Sequence, residues 1–211
     1  MTHYHSLPMQ PVVIKSIDGL DLVSYITTPS KVNSTAPYPL GVYVHGGPTA
    51  RDIWGYNIIH QWLANRGYAV LSTNFRGSSG FGKRFLNAGN REWGKKMHQD
   101  IIDVVNWYIY HKIANPNIIA IMGASYGGYE TLVALTRNPD LFACGIDIVG
   151  PSDLATLIKS VPEYWKPISG NFRKKVGDID SLEGLHLLSL SSPINFADKI
   201  TKPLYQFPNL I

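Results

Sequence analysis

Ile118-Ile119-Ala120-Ile121-Met122-Gly123-Ala124-Ser125-Tyr126-Gly127-Gly128-Tyr129 is the stretch that decides the fold. The apolar run Ile118 to Met122 reads as a buried strand, and Tyr126 to Arg137, stopped by Asn138-Pro139, reads as a helix. Between them Gly123-Ala124-Ser125-Tyr126-Gly127 fits the pattern G-x-S-x-G. Chance alone puts that pattern in roughly one chain in fifteen of this length, so its placement counts for more than its letters. A sharp strand-to-helix turn with small neighbours is where a serine can be held in a strained backbone with its hydroxyl outward, a nucleophile elbow. Ser125 is therefore the candidate nucleophile. A glycine-rich turn with an incidental serine is the plainer alternative.

Working outward, strand and helix periods alternate. Val12 to Ile14 and Leu20 to Ile26 flank Asp18-Gly19, a strong hairpin turn. Thr28 to Pro39, with three prolines, reads as a loop. Leu40 to Val44, Tyr68 to Ser72 and Ala143 to Val149 read as strands. Tyr56 to Arg66 reads as a helix presenting Ile58, Ile59, Trp62 and Leu63 on one face, with Gly67 as its C-terminal cap. Asp100 to His111 repeats the stripe through Ile101, Val104, Val105, Tyr108 and Ile109. Short apolar strands separated by amphipathic helices imply a doubly wound, mostly parallel α/β sheet begun by an antiparallel hairpin. In such sheets chemistry collects at the carboxyl ends of the strands.

The bulk properties agree with one folded domain. The chain has 211 residues, 45% hydrophobic and 16% charged, with 12 Tyr, 5 Trp and 7 Phe, enough apolar material for a core. The net charge of +4 is dispersed. Its one tight run, Arg173-Lys174-Lys175, reads as a solvated loop rather than a phosphate-binding patch, so no nucleic-acid partner is expected. Cys144, the one cysteine, lies in an apolar run and reads as a buried small hydrophobe in a reducing compartment. No signal pattern opens the chain and no run of 18 apolar residues occurs, so the expectation is a cytoplasmic protein with no membrane contact. The seven histidines are dispersed without metal-ligand spacing, and no metal or organic cofactor is expected.

His45-Gly46-Gly47-Pro48 follows the strand Leu40 to Val44. In hydrolases with a serine elbow, the loop after that strand supplies one backbone N–H to the oxyanion hole, and the residue after the nucleophile supplies the other. Gly47 and Tyr126 are the two candidate donors. A plain Gly-Gly-Pro turn is the alternative for this loop.

At this point the chain resembles the peptidase domain of the prolyl oligopeptidase family, in its acylaminoacyl-peptidase and dipeptidyl-aminopeptidase-like branch, with an α/β-hydrolase fold. Four stretches carry the resemblance: Val44 to Pro48; Asn74-Phe75-Arg76-Gly77-Ser78-Ser79-Gly80-Phe81-Gly82; Gly123 to Tyr129; and Asp147-Ile148-Val149-Gly150-Pro151-Ser152-Asp153-Leu154. Arg76 is expected to hold neighbouring loops through its fork of donors rather than to act in catalysis. The resemblance implies hydrolysis of short peptides through an acyl-enzyme on Ser125, with a histidine held by an aspartate taking and returning the proton.

Two family features are missing from their places. Of the histidines only His186 follows Ser125, in the apolar-striped segment Ser181 to Leu190 where the family has no catalytic histidine. Asp147 and Asp153 match family positions other than the triad acid, and Asp178, Asp180 and Asp198 lie too early. The strand expected after Lys202-Pro203 begins with Leu204-Tyr205, but Pro208 argues against normal pairing. Few residues precede the first strand, where family members carry a β-propeller. The expectation is a residual linker over residues 1–10 and an incomplete peptidase domain over 11–211, cut at both ends, with the C-terminal strand and helices missing. Such a chain is expected to be impaired alone, with a complementing chain carrying the missing Asp and His, or the propeller, as a possible partner. A non-catalytic remnant and a small-ester carboxylesterase stand as the alternative functions.

Overall fold

The computed structural model describes residues 6–30, 35–161 and 172–207. Seven strands form one mixed sheet: β1 (Met9–Lys15), β2 (Asp21–Thr27), β3 (Tyr38–Val44), β4 (Ala69–Thr73), β5 (Ala114–Ala124), β6 (Cys144–Ile148) and β7 (Leu204–Phe207). Their order across the sheet is β1-β2-β4-β3-β5-β6-β7. β2 pairs antiparallel with β1 and β4, and every other pair is parallel. This is the mostly parallel α/β-hydrolase arrangement expected from the alternating periods. The hairpin closes where Asp18-Gly19 predicts it, with Ser16 N–H donating to Leu20 O at 2.9 Å and Gly19 at φ 85°.

Helices α1 (Ile58–Ala64), α2 (Gly82–Asn87), α3 (Lys96–Tyr110), α4 (Tyr126–Arg137), α5 (Leu154–Lys159) and α6 (Leu182–Ser191) connect and cover the strands. All five residues of β4 are buried, as both faces of a central parallel strand should be. In α4 every position from Tyr126 to Thr136 is buried, so the helix carrying the serine turn is enclosed on all sides.

Two expectations need correction. Asn57 caps α1 by accepting from Ile59 N and His60 N, so the helix starts at Ile58 rather than Tyr56. Its inward face is His60, Gln61 and Ala64, while Ile58 and Trp62 are exposed. His60 is turned in because Thr27 Oγ1 lies 3.0 Å from its Nδ1 and Ser72 Oγ 2.8 Å from its Nε2, a polar bridge between β2 and β4. Second, the segment after Lys202-Pro203 does pair: β7 runs parallel to β6 from Gly145↔Leu204 to Ile148↔Phe207. Backbone pairing through Phe207 needs nothing from Pro208, which lies outside the described residues. A smaller difference concerns Cys144, which opens β6 half-buried rather than enclosed; burial still pushes its thiol up.

Arg76 holds the hairpin to the body of the domain. Its Nε and Nη2 donate to Asp100 on α3 at 2.8 and 2.6 Å, and Nη1 and Nη2 donate to Asp18 in the hairpin turn at 2.9 and 2.8 Å. Its backbone N–H also donates to Asp100. Hydrogen bonds from Arg76 hold the exposed-side Asp18 carboxyl well below the usual carboxylate range. Burial pushes the fully enclosed Asp100 carboxyl up, against the pull of the same guanidinium. This matches the holding role expected of Arg76. Arg76→Ala leaves Asp100 buried without its partner, and urea unfolding should show a loss of about 3–5 kcal/mol; an unchanged midpoint would contradict that role.

Burial lowers the His60 imidazole to about 4, so it is neutral in the folded chain. Its ordinary value in the unfolded chain is near 6.5, so the unfolded state binds the extra proton first. Stability from this site is complete above about pH 6.5 and falls by about 2–3 kcal/mol as pH drops towards 4. Unfolding free energies measured between pH 7 and 4 should show that slope, and His60→Gln should flatten it.

Candidate active site

β5 ends at Ala124 and α4 begins at Tyr126, leaving one residue to reverse the chain. Ser125 takes φ 56° and ψ −115°, a conformation an L-residue adopts only where its surroundings enforce it. The enforcement is visible on both sides. Ser125 N–H donates to Ile148 O of β6 at 2.9 Å, and Ser125 O accepts from Tyr129 N at 3.0 Å. The start of α4 also lies directly against the end of β3. A Cβ on Gly123 would stand 2.6 Å from Val44 O and 2.7 Å from Gly127 Cα, and a Cβ on Gly127 would overlap Val44 O outright. Only glycine permits that approach. The Ser125 side chain is left exposed at the carboxyl end of the sheet.

The loop after β3 lies beside it. A Cβ on Gly46 would sit 3.6 Å from Ser125 Cβ and 3.1 Å from Ala124 O, so this loop abuts the serine turn. Gly47 has φ 119°, outside the range of other residues. Among the described residues, neither Gly47 N–H nor Tyr126 N–H has an acceptor. The structure therefore brings the three sequence-predicted residues, Ser125, Gly47 and Tyr126, into one neighbourhood with two backbone donors unspent.

The stretch Asn74 to Gly82 holds this loop in place. His45 is buried and stacked on Phe75, with ring centroids 4.5 Å apart. Its Nδ1 lies 2.8 Å from Gly46 O and its Nε2 3.0 Å from Ser78 Oγ. Burial pushes the His45 imidazole down, which favours a neutral ring with Nδ1–H donating to Gly46 O. Ser79 N–H donates to Ala50 O, and Asn74 Oδ1 accepts from Asp52 N while its Nδ2 donates to Asp52 O. The Asp52 carboxyl is pushed up to about 7 by burial, and its Oδ2 has no partner among the described residues.

A cavity of about 260 Å³ opens beside Gly47 and Pro48, walled by Leu86, Trp93, Met97, Phe172 and Val176, with Thr49, Asn90 and Lys175 as its polar members. Sequence patterns could not find it, because its walls come from four separated stretches. Lys175 belongs to the basic run; its neighbour Arg173 pairs with Asp180, and residues 172–175 form a helical turn.

No described histidine serves Ser125. His45 and His60 are committed as above. His98 is buried against Glu130 and Asn138. His111 is exposed and hydrogen-bonded to Trp107 O. His186 is exposed on α6 and makes no hydrogen bond to the serine. Asp147 accepts from Gly150 N and Gln206 Nε2, bracing the ends of β6 and β7. Asp153 caps α5, and although burial opposes it, hydrogen bonds from Thr156 and Ala155 hold its carboxyl low. Asp178 and Asp180 face Arg173, and Asp198 is exposed.

Comparison with known proteins places this geometry. The prolyl oligopeptidase family description matches residues 54–183. The chain is 52% identical over 204 residues to dipeptidyl aminopeptidase BIII of Pseudoxanthomonas mexicana, covering 94% of this chain and 30% of that protein. It is 50% identical over 202 residues to dipeptidyl peptidase family member 6 of Caenorhabditis elegans, covering 95% and 27%. The chain thus spans less than a third of the length of either relative. Among solved structures, the uncomplexed acylaminoacyl peptidase of Pyrococcus horikoshii superposes with a TM-score of 0.84 at 29% identity, over 96% of this chain and 32% of that one. With the serine turn, the glycine loop and the arginine-glycine stretch assembled as one unit, this chain belongs to the prolyl oligopeptidase family.

Proposed function

We propose that Ser125 is the nucleophile of a serine peptidase that cleaves short peptides through an acyl-enzyme. The observation that carries this is the strained, exposed Ser125 flanked by the unpaired N–H groups of Gly47 and Tyr126. Attack by Ser125 Oγ on a peptide carbonyl forms the C–O bond as the hydroxyl proton passes to a base. The carbonyl oxygen becomes an oxyanion that the two amides receive. The tetrahedral intermediate then expels the amine, which takes that proton, and water releases the acid. The cavity beside Gly47 would take the side chain preceding the scissile bond. Its walls are mostly apolar and no carboxylate lines it among the described residues, so an aromatic or large aliphatic side chain fits there better than a basic one.

None of the described histidines offers Ser125 a base, so these 211 residues are proposed to be impaired or inactive alone. The aspartate and histidine would come from other polypeptide, within a longer protein or on a complementing chain. β7 supports this second arrangement: it is the last strand in the sheet order, and its Tyr205 and Phe207 are exposed. A reducing, cytoplasmic setting goes with the reading, supported by the single cysteine. A non-catalytic remnant and an esterase for small acyl esters are the competing functions.

Hydrolysis of a short peptide p-nitroanilide should separate them. The purified chain is expected to give at most a residual rate, about 10³–10⁴ over water. Adding a polypeptide that bears the aspartate and histidine should raise it, and Ser125→Ala should abolish the gain. A complemented rate unaffected by Ser125→Ala would overturn the assignment. Hydrolysis of the p-nitrophenyl ester but never of the anilide with the same acyl group would favour the esterase. Within a peptide series, Phe or Leu before the cleaved bond should exceed Lys or Arg by at least about tenfold in kcat/KM; the reverse order would remove the cavity from the substrate site.

A further inference from the structure

Behind the serine turn lies a buried polar chain that the hydrolytic chemistry described above does not use. Glu130 is fully enclosed on α4, one helical turn after Tyr126. Its Oε2 accepts from the Tyr126 hydroxyl at 3.3 Å, and its Oε1 is hydrogen-bonded to His98 Nδ1. His98, on α3, reaches with Nε2 to Asn138 Oδ1 at 2.6 Å, at the other end of α4. Tyr126 is 1% exposed, with its ring against Trp93, Phe75 and Tyr129 at centroid distances of 4.7, 5.3 and 5.5 Å.

Enclosing a carboxyl in a helix otherwise packed among apolar side chains is costly, and an apolar residue of that size would fill the space more cheaply. What the carboxyl supplies is two acceptor oxygens at once. One holds the phenol of Tyr126 and the other holds His98, so the side chain of Tyr126 is tied through Glu130 to a second helix. A glutamine offers one acceptor and one donor group, and satisfies that pair less well. With its ring and hydroxyl both fixed, Tyr126 has little freedom to rotate its backbone, and the direction of its N–H is fixed with it.

We infer that Glu130 and His98 are positioning residues that aim the Tyr126 N–H at the oxyanion, acting through the Tyr126 side chain. This rests on the proposed role of Tyr126, and the test is chosen so that the two can fail separately.

The test uses the whole 211-residue chain, with Glu130→Gln, His98→Gln and the double variant. In ¹H–¹⁵N spectra, Glu130→Gln should shift the Tyr126 amide while Val133, further along α4, keeps its position. With the polypeptide that bears the aspartate and histidine added, labelling of Ser125 by a fluorophosphonate should slow about tenfold in each single variant and no further in the double one, because the two residues act as a unit. The thermal midpoints should stay within a few degrees of the parent. A folded Glu130→Gln chain with an unmoved Tyr126 amide and the parent labelling rate would overturn the inference. Should Glu130→Gln fail to fold, Tyr126→Phe removes only the hydroxyl and should give a similar slowing; a parent rate there overturns it equally. A parent chain that does not label even with the complementing polypeptide present sinks the proposed nucleophile, and the Tyr126 amide shift then decides the positioning claim by itself.

Discussion

The structure depends on the contact between the start of α4 and the end of β3. Gly123 and Gly127 bring two backbone segments within a distance that no side chain survives, and Val44 O is the atom they meet. That approach, with the Ser125 N–H bond to Ile148 O, holds Ser125 at φ 56°. A residue in that region costs about 1–3 kcal/mol, and the burial of nearly all of α4 supplies the restoring force. The strain is local, and in the proposed function it has a chemical use: it leaves the serine exposed at the carboxyl end of the sheet, beside the first amides of the helix.

The rest of the domain can be read as support for that turn. Asn74, Ser78 and Ser79 hold the glycine loop from one side, through Asp52, His45 and Ala50. Arg76, in the middle of the same stretch, faces the other way and fastens the hairpin to α3. One nine-residue segment therefore couples the sheet's first hairpin to the loop beside the serine. That explains why an arginine-glycine stretch with no part in bond breaking accompanies the serine motif. His98 and Glu130 extend the same logic to the back of α4, where α3 again provides the anchor.

Much of this was legible in the sequence where the signal is local. The limits of α4 follow from the glycine-serine motif and Asn138-Pro139, and the hairpin follows from Asp18-Gly19. The inward face of α1 was not, because His60 is turned in by Thr27 and Ser72, 33 and 12 residues away, whose hydroxyls outweigh the apolar stripe. Pairing of β7 was underestimated for a related reason. A strand needs only its own backbone groups opposite those of β6, and Leu204 to Phe207 supply them. The cavity beside Gly47 and the Glu130–His98 contact join stretches far apart in the chain. For Glu130 the sequence offers one hint: an acid four residues after Tyr126, on the same face of the helix.

The relatives it matches are more than three times as long as this chain, so the proton-transfer partners of Ser125 belong to the proposal, whereas the serine turn and its two amides belong to the fold. The central claim is that these amides form a receptor for negative charge. A crystal structure of the chain after reaction with diisopropyl fluorophosphate tests it most directly. The account predicts phosphorus on Ser125 Oγ, with the phosphoryl oxygen about 2.7–3.1 Å from both Gly47 N and Tyr126 N. An adduct whose oxygen points to solvent, or one formed on another residue, would contradict it.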